Sequence, residues 1–359
     1  MLRVKSTAVA VMLGIGGLGA AAFGAAAPAS AGAQASAAWH IAKTVQGPNF
    51  PLFTAATAAS GTNAWAFEAP GGNAKPRAFQ LSGRTWKLRS FPGKRDEQIL
   101  AASASSSNNV WAFTTLNGAS SRALHFNGHS WQQVKVFGEM INSGLVLSPT
   151  NVWVFGQTFA PSLGAVHYNG HTWTKSARGL AGASALSARS IWAYGTTNVA
   201  HWNGSKWRST SVARLLPKPN ELCSPLLAGI VAMSRSNVFA IASAGCPDGG
   251  GRITLLHYDG SKWSRIAVGK HVVGGPAGLI SDGMGGLWIP LGTGGPVSSV
   301  MWHYSRGSLS QVRLPISPQH LVLIAVTIGS HTTAALAVGL SRPSPTPSFT
   351  TAVILRYGS

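Results

Sequence analysis

The sequence predicts an all-β fold, a seven-bladed β-propeller of four-stranded blades, and three observations carry that prediction. Eleven of the thirteen Trp residues belong to two positions of one repeat. Trp86, Trp131, Trp173, Trp207 and Trp263 each close a Gly-x-x-Trp unit, with Leu309 in a degenerate copy. Trp65, Trp111, Trp153, Trp192 and Trp288 sit in runs like Asn-Val-Trp-Ala-Phe, with Phe239 and Leu336 substituting. The spacing averages about 45 residues, the length of one propeller blade. Charged residues are only 10% of the chain, and 43 Gly accompany abundant Ser and Thr. That composition suits many short strands and tight turns.

Along the chain, residues 1–31 read as an export signal, with cleavage as late as residue 37. Arg3 and Lys5 give a positive start, residues 9–23 are apolar and small, and Ala29-Ser30-Ala31 and Ala35-Ser36-Ala37 are cleavage boxes. The apolar run is shorter than the ~20 residues a membrane span needs. Gly14-x-Gly16-x-x-Gly19 matches a dinucleotide-binding pattern but lacks the flanking βαβ unit that gives it meaning.

Residues 38–359 are expected to form one propeller domain. Each repeat reads as strands a to d. In the third, residues 143–147, 152–156, 165–168 and 171–175 are the four strands, and Asn169-Gly170 predicts a two-residue hairpin turn. The same signal recurs at Asn127-Gly128, Asn203-Gly204 and Asp259-Gly260. Strand b has seven copies but strand d only six, from Trp86 to Leu309. The missing copy is expected near Trp39, where residues 39–45 read as a lone strand d that completes the last blade. Closing the ring in this way removes a free sheet edge. The d-strand interval shrinks to 34 residues between Trp173 and Trp207 and grows to 56 between Trp207 and Trp263. The extra length is residues 215–224, and a second elaboration is the Pro-rich stretch 341–348.

Cys223 and Cys246 are the only cysteines. They flank antiparallel strands a and b of the fifth blade, which predicts a disulfide closing a loop of about 24 residues, worth about 3 kcal/mol. His125, His167, His201, His257 and His303 recur at one strand-c position, where Gln80 and Arg356 stand in the other blades. Equivalent positions in different blades lie on a wide circle, so these histidines are read as structural and no metal site is expected. The Trp pairs are read as packing between blades. Trp202 and Trp302 fall off the two Trp positions and are candidates for ligand stacking. The eight acids are dispersed, no nucleophile elbow, phosphate loop or His-Glu-x-x-His motif is present, and no catalytic residue or cofactor is expected.

The formal charge is +20, or +18 without Arg3 and Lys5. The bases are scattered, with no run of five or six, which argues for a diffuse positive field and against a nucleic-acid arm.

Asn151-Val152-Trp153-Val154-Phe155-Gly156 and His167-Tyr168-Asn169-Gly170-His171-Thr172-Trp173 resemble the Val-Trp-Ala-Val-Gly … His-Trp-Asp-Gly-x-x-Trp units of exported propeller proteins of high-GC Gram-positive bacteria. Those are loosely related to kelch and galactose-oxidase central-domain propellers. The resemblance covers nearly all of the chain after the signal and implies fold and export. The copper ligands of galactose oxidase have no matching motif here. Ser281-Asp282-Gly283-Met284-Gly285-Gly286-Leu287-Trp288 looks like a structural hairpin turn of sensor and lyase propellers.

The functional expectation is a secreted, monomeric binding protein. Its candidate surface is the face of the d–a and b–c loops, which gathers Lys75, Arg77, Lys94, Arg95, Arg214, Lys218, Arg252 and Arg342. The expected partner is an anionic cell-wall polymer, an acidic glycan or an exported protein, not nucleic acid. An extracellular lyase or glycan hydrolase with its site at the channel mouth is the alternative; a scaffold for exported proteins is the second.

Overall fold

The computed structural model describes residues 38–46, 51–69, 71, 74–116, 120–157, 163–218, 224–245, 252–269, 278–292, 299–329, 332–342 and 350–358. The export-signal reading, the Gly14 pattern, Cys223 and Cys246 lie outside them.

The strands form seven four-stranded antiparallel sheets, six of them in the simple order a-b-c-d. In the third blade these are Ser143–Ser148, Asn151–Phe155, Ala165–Tyr168 and Trp173–Ala177. The seventh sheet is the exception that closes the ring. Leu321–Ile328, Ala335–Ser341 and Thr351–Tyr357 supply strands a to c, and Trp39–Gln46 from the other end of the chain pairs outside them as strand d. Its register runs from Trp39 opposite Tyr357 to Gln46 opposite Thr351. Among the described residues helix is confined to two three-residue 3₁₀ turns, Ala213–Leu215 and Pro318–His320. Among the described residues no helix is long and apolar enough to cross a membrane.

The burial pattern explains the repeat. Strand b lies inside its sheet with a blade on either side, so both of its faces are covered, and Val152 to Phe155 are all buried. Strand d is the outer edge, so Trp173 is half-buried while Thr174 to Ser176 are exposed. Trp65, Trp111, Trp153 and Trp288 are each at most 2% exposed. Burying a large apolar side chain contributes roughly 1.5–3 kcal/mol, so these four anchor much of the packing. Seven apolar clusters result, one for each junction between neighbouring blades. At the second junction Trp111 and Phe113 meet Val152, Val154 and Val166 of the next blade. Gly144 is required there: a Cβ on it would sit 1.9 Å from the Phe113 ring.

The turns at Asn-Gly differ from the two-residue form that the sequence predicts. Tyr168 pairs directly with Trp173, so the loop holds four residues and strand d starts two residues later than expected. Only Gly170 has positive φ, at 95°. Asn169 Oδ1 accepts the backbone N–H groups of His171 and Thr172 at 3.0 and 2.8 Å, which makes the turn an Asn-capped one. The four-residue loop stacks Tyr168 on Trp173, ring centroids 4.8 Å apart. The two-residue turn with positive φ at both positions occurs instead at Arg306-Gly307, where Ser305 pairs with Ser308.

Candidate functional site: channel, rims and an inter-blade cleft

The innermost strands enclose a channel of about 1170 Å³, to which six blades contribute. Its described lining is Ser, Thr, Gly, Ala and aliphatic: Ser103, Leu145, Ser184, Val231, Ile280 and Thr327 are typical. No ionisable side chain is among these lining residues. Two of the serines join neighbouring blades. Ser103 Oγ accepts the Val146 N–H, and Ser184 Oγ accepts the Ala232 N–H, both at 3.0 Å. Among the described residues the channel thus offers hydroxyls, two of them already used to hold the ring, and no carboxylate or imidazole.

The five recurrent histidines sit one per blade and share a construction. His167 stacks on Trp153 at 4.3 Å, and its Nε2 lies 3.0 Å from Asn151 Oδ1. The same Asn oxygen accepts the Trp153 indole N–H at 3.0 Å. His125, Trp111 and Asn109 repeat this. His201 uses Ser190 and His257 uses Asn237. His303 meets Asp282, whose other oxygen accepts the Met284 and Gly286 N–H groups of the hairpin. No three His, Cys, Asp or Glu side chains among the described residues are placed to hold a metal ion.

Trp202 and Trp302 occupy two further repeat positions on strand c, just after His201 and just before His303, so both lie on the side of the sheet that packs against the preceding blade. Trp202 is half-buried against Trp153 and Trp207, at 5.3 and 5.6 Å. Trp302 is half-buried against the apolar cluster between blades five and six.

Of the six acids in the described residues, three are turned inward. Glu68 is buried and takes a bidentate pair of bonds from Arg77, at 2.6 and 2.7 Å. Glu97 is buried and bonds Arg122, Thr114 and the Lys94 backbone N–H. Asp282 is the third. Glu139 is partly covered and bridges to Lys175 at 3.2 Å. That leaves Asp96 and Asp259 exposed.

Most of the bases face outward, Arg122 being the buried exception among the described ones. On the loop face Lys75, Lys94, Arg95, Arg214 and Lys218 are exposed, whereas Arg77 is engaged by Glu68 and Arg342 is half-buried. Arg252 begins strand c of the fifth blade, and its side chain lies outside the described set. The opposite face, formed by the a–b and c–d turns, is equally basic. Arg84, Arg189, Lys206, Arg235, Lys262 and Arg306 are all exposed there. Sequence reading singled out the loop face because its loops are long. The turn-face bases are single residues at the same turns of successive repeats, a signal visible only once the turns are superposed.

A cleft of about 600 Å³ opens between blades one and two, lined among others by Asn63, Trp65, Gln80, Arg89, Phe126 and Trp131. Here the His of the repeat is replaced by Gln80, whose Oε1 accepts Arg89 Nε at 2.9 Å. Asn63 Oδ1 and the indole N–H of Trp65 are both buried without a partner. Sequence reading recorded Gln80 only as a substitution.

No protein-family model matches the chain, and neither does any curated protein. Solved structures do resemble it. YCF48 bound to a D1 peptide aligns over 88% of this chain and 95% of its own, with TM-score 0.57 and 13% identity. YCF48 from Cyanidioschyzon merolae aligns over 89% and 98%, with TM-score 0.55 and 11% identity. The β-propeller domain of Myceliophteria thermophila Cps50 (Swd1) aligns over 89% and 99%, with TM-score 0.56 and 10% identity. At these identities the likeness establishes the propeller fold.

Proposed function

We propose that this propeller is an exported binding protein that holds an anionic polymer, such as an acidic glycan or a wall polymer, through its basic loop face. The observation that carries the reading is the inward turn of Glu68, Glu97 and Asp282. Glu68 and Glu97 are neutralised by Arg77 and Arg122, so among the described acids only Asp96, Glu139 and Asp259 are left at the surface to offset the exposed bases. A surface of that kind attracts polyanions over distances of a Debye length. The export-signal reading of residues 1–31, and the resemblance of the repeats to exported propellers of high-GC Gram-positive bacteria, support a partner outside the cell. The channel lining, without ionisable groups among the described residues, favours binding over channel-mouth catalysis. The exposed large apolar residues Ile41, Leu88, Val136 and Met284 are dispersed over separate elements, so a scaffold reading gains no support from them.

The test is retention of the mature protein on a polyanion column. Affinity should fall steeply from about 0.1 to about 1 M salt, as the Debye length shortens from about 10 to about 3 Å. Reversing Lys94, Arg95, Arg214 and Lys218 to Glu should abolish retention. Reversing Arg189, Lys206, Arg235 and Lys262 should leave most of it. Salt-independent retention defeats the polyanion reading, and loss only in the turn-face variant moves the site to the other face.

A further inference from the structure

We propose that the cleft between blades one and two is a separate small-ligand site for a single carboxylated pyranose, a uronic acid residue. The argument starts from what the neighbouring blades do with the same positions. In blades two and three one Asn oxygen satisfies both the Trp indole N–H and the His ring nitrogen, so all three groups are paired with one another. In blade one the imidazole is absent. Gln80 turns its amide oxygen to Arg89, and Asn63 Oδ1 and Trp65 Nε1 are left as a buried acceptor and a buried donor. Buried polar groups are costly to leave unpaired. A sugar hydroxyl both donates and accepts, so one hydroxyl or a vicinal pair satisfies them together.

The rest of the cleft fits the same ligand. Phe126 and Trp131 supply an apolar wall for the C–H face of a pyranose ring. Arg89 is exposed and is fixed by Gln80 at the cleft, which places a cation for the carboxylate. No acid is among the described residues that line the cleft. Its volume, about 600 Å³, lies within the range of about 300–1,000 Å³ usual for small-molecule sites. A cleft of about 570 Å³ between blades four and five repeats the plan with Trp192, Arg208, Tyr258 and Trp263. There His201 is retained and bonds Ser190, so only the Trp192 indole N–H is left open. Among the described residues blade one alone combines the free donor with the free acceptor.

The probes are methyl β-D-glucuronide and methyl β-D-glucoside, titrated into the mature protein by calorimetry and by NMR of the indole N–H groups. The glucuronide should bind and shift the Trp65 resonance. Gln80→His should return the imidazole that closes the other blades. It should lower glucuronide affinity at least tenfold while the melting temperature holds or rises, which separates loss of the site from loss of the fold. Arg89→Ala should lower glucuronide affinity about tenfold, the scale of one charged hydrogen bond, and leave the glucoside unchanged. The proposal is overturned if neither glycoside shifts Trp65, or if Gln80→His binds as tightly as the parent. The variant Lys94→Glu with Arg95→Glu keeps the two proposals apart. It should lose polyanion retention and keep glucuronide binding; loss of the glucuronide in that variant would put the sugar on the rim and sink the cleft site.

Discussion

At the residue scale the repeated His–Trp–Asn unit converts a sequence pattern into a pH dependence. Burial lowers the pKa of His125, His167 and His201, and the Arg208 charge adds to the effect at His201. The unfolded chain, in which His titrates near about 6.5, therefore takes up protons more readily than the folded one. The stability these groups contribute is complete above about pH 6.5 and is lost as pH falls from there toward the lower folded values. The urea midpoint should drop on going from about pH 7.5 to about pH 5.5, either side of that value. Replacing all three with Gln, which blade one already carries at Gln80, should flatten the dependence. A variant with an undiminished slope would assign it to other groups. The histidines were legible in the sequence as structural, because one residue per blade cannot converge on a metal. Their shared acceptor was half-legible: Asn stands two residues before Trp in each good repeat, but the bonds depend on which way strands b and c pair. The empty cleft was not legible at all. Gln for His looks conservative until the structure shows Gln80 bonded to Arg89 and Asn63 Oδ1 left without a partner.

At the scale of single elements, the junction between blades one and two shows why charged residues resist sequence reading. In the sequence Asp96 and Glu97 are adjacent acids in an inter-blade loop, expected to point to opposite sides, with nothing to say which one is buried. In the structure the chain takes φ of 60° at Asp96 and points the two side chains apart, so that Glu97 enters the core. Its partner Arg122 is 25 residues away on strand c and also bonds the Pro92 carbonyl oxygen and Gln133. Burial alone would raise the Glu97 carboxyl. Hydrogen bonds from Arg122, Thr114 and the Lys94 backbone, with the Arg122 charge, outweigh it and hold the pKa below the ordinary 4.5. Arg122→Ala leaves a buried carboxylate without its cation and should cost about 3–5 kcal/mol, measured by chemical unfolding at neutral pH. The same contact pins the loop carrying Lys94 and Arg95, so the variant should also weaken polyanion retention. In the parent, stability from Glu97 is present above pH 4.5 and is lost as pH falls through its lower folded value. A loss under 1 kcal/mol would mean that the network contributes no more than a surface pair of about that size. Strand d carries a different share of the charge. Lys87, Arg89, Lys175 and Arg208 lie on outer edges, where charge discourages pairing with a second sheet. Part of the positive surface therefore belongs to edge protection, and only the loop-face bases are assigned to the polyanion.

At the scale of the whole molecule, the ring is held by one non-local event. Six blades are built from consecutive strands, so each can form from local hairpins, but the seventh waits for Trp39–Gln46 to pair with Thr351–Tyr357. The count of Trp copies exposed this in the sequence, because strand b was complete and strand d was one short. Either candidate cleavage box leaves Trp39 in the chain. Trp39 is 5% exposed and packs edge-on against Trp288 at 5.4 Å and against Tyr357 at 5.7 Å. It therefore joins blades six and seven as well as completing blade seven. Trp39→Ala should cost about 3–5 kcal/mol, the range for deleting a large buried aromatic. Because the lost contact lies at the seam, the effect should exceed simple destabilisation. Removing residues 38–46 should uncover the outer edge of Thr351–Tyr357, and a free edge of that length recruits other chains. Size-exclusion chromatography should then report dimers or larger species for the truncated chain, while Trp39→Ala stays monomeric. Adding the missing strand as a peptide should restore the monomer by filling the edge. A truncated chain that remains monomeric and fully stable would show that the first six blades close without the clasp, and the ring would owe its stability to junction packing alone.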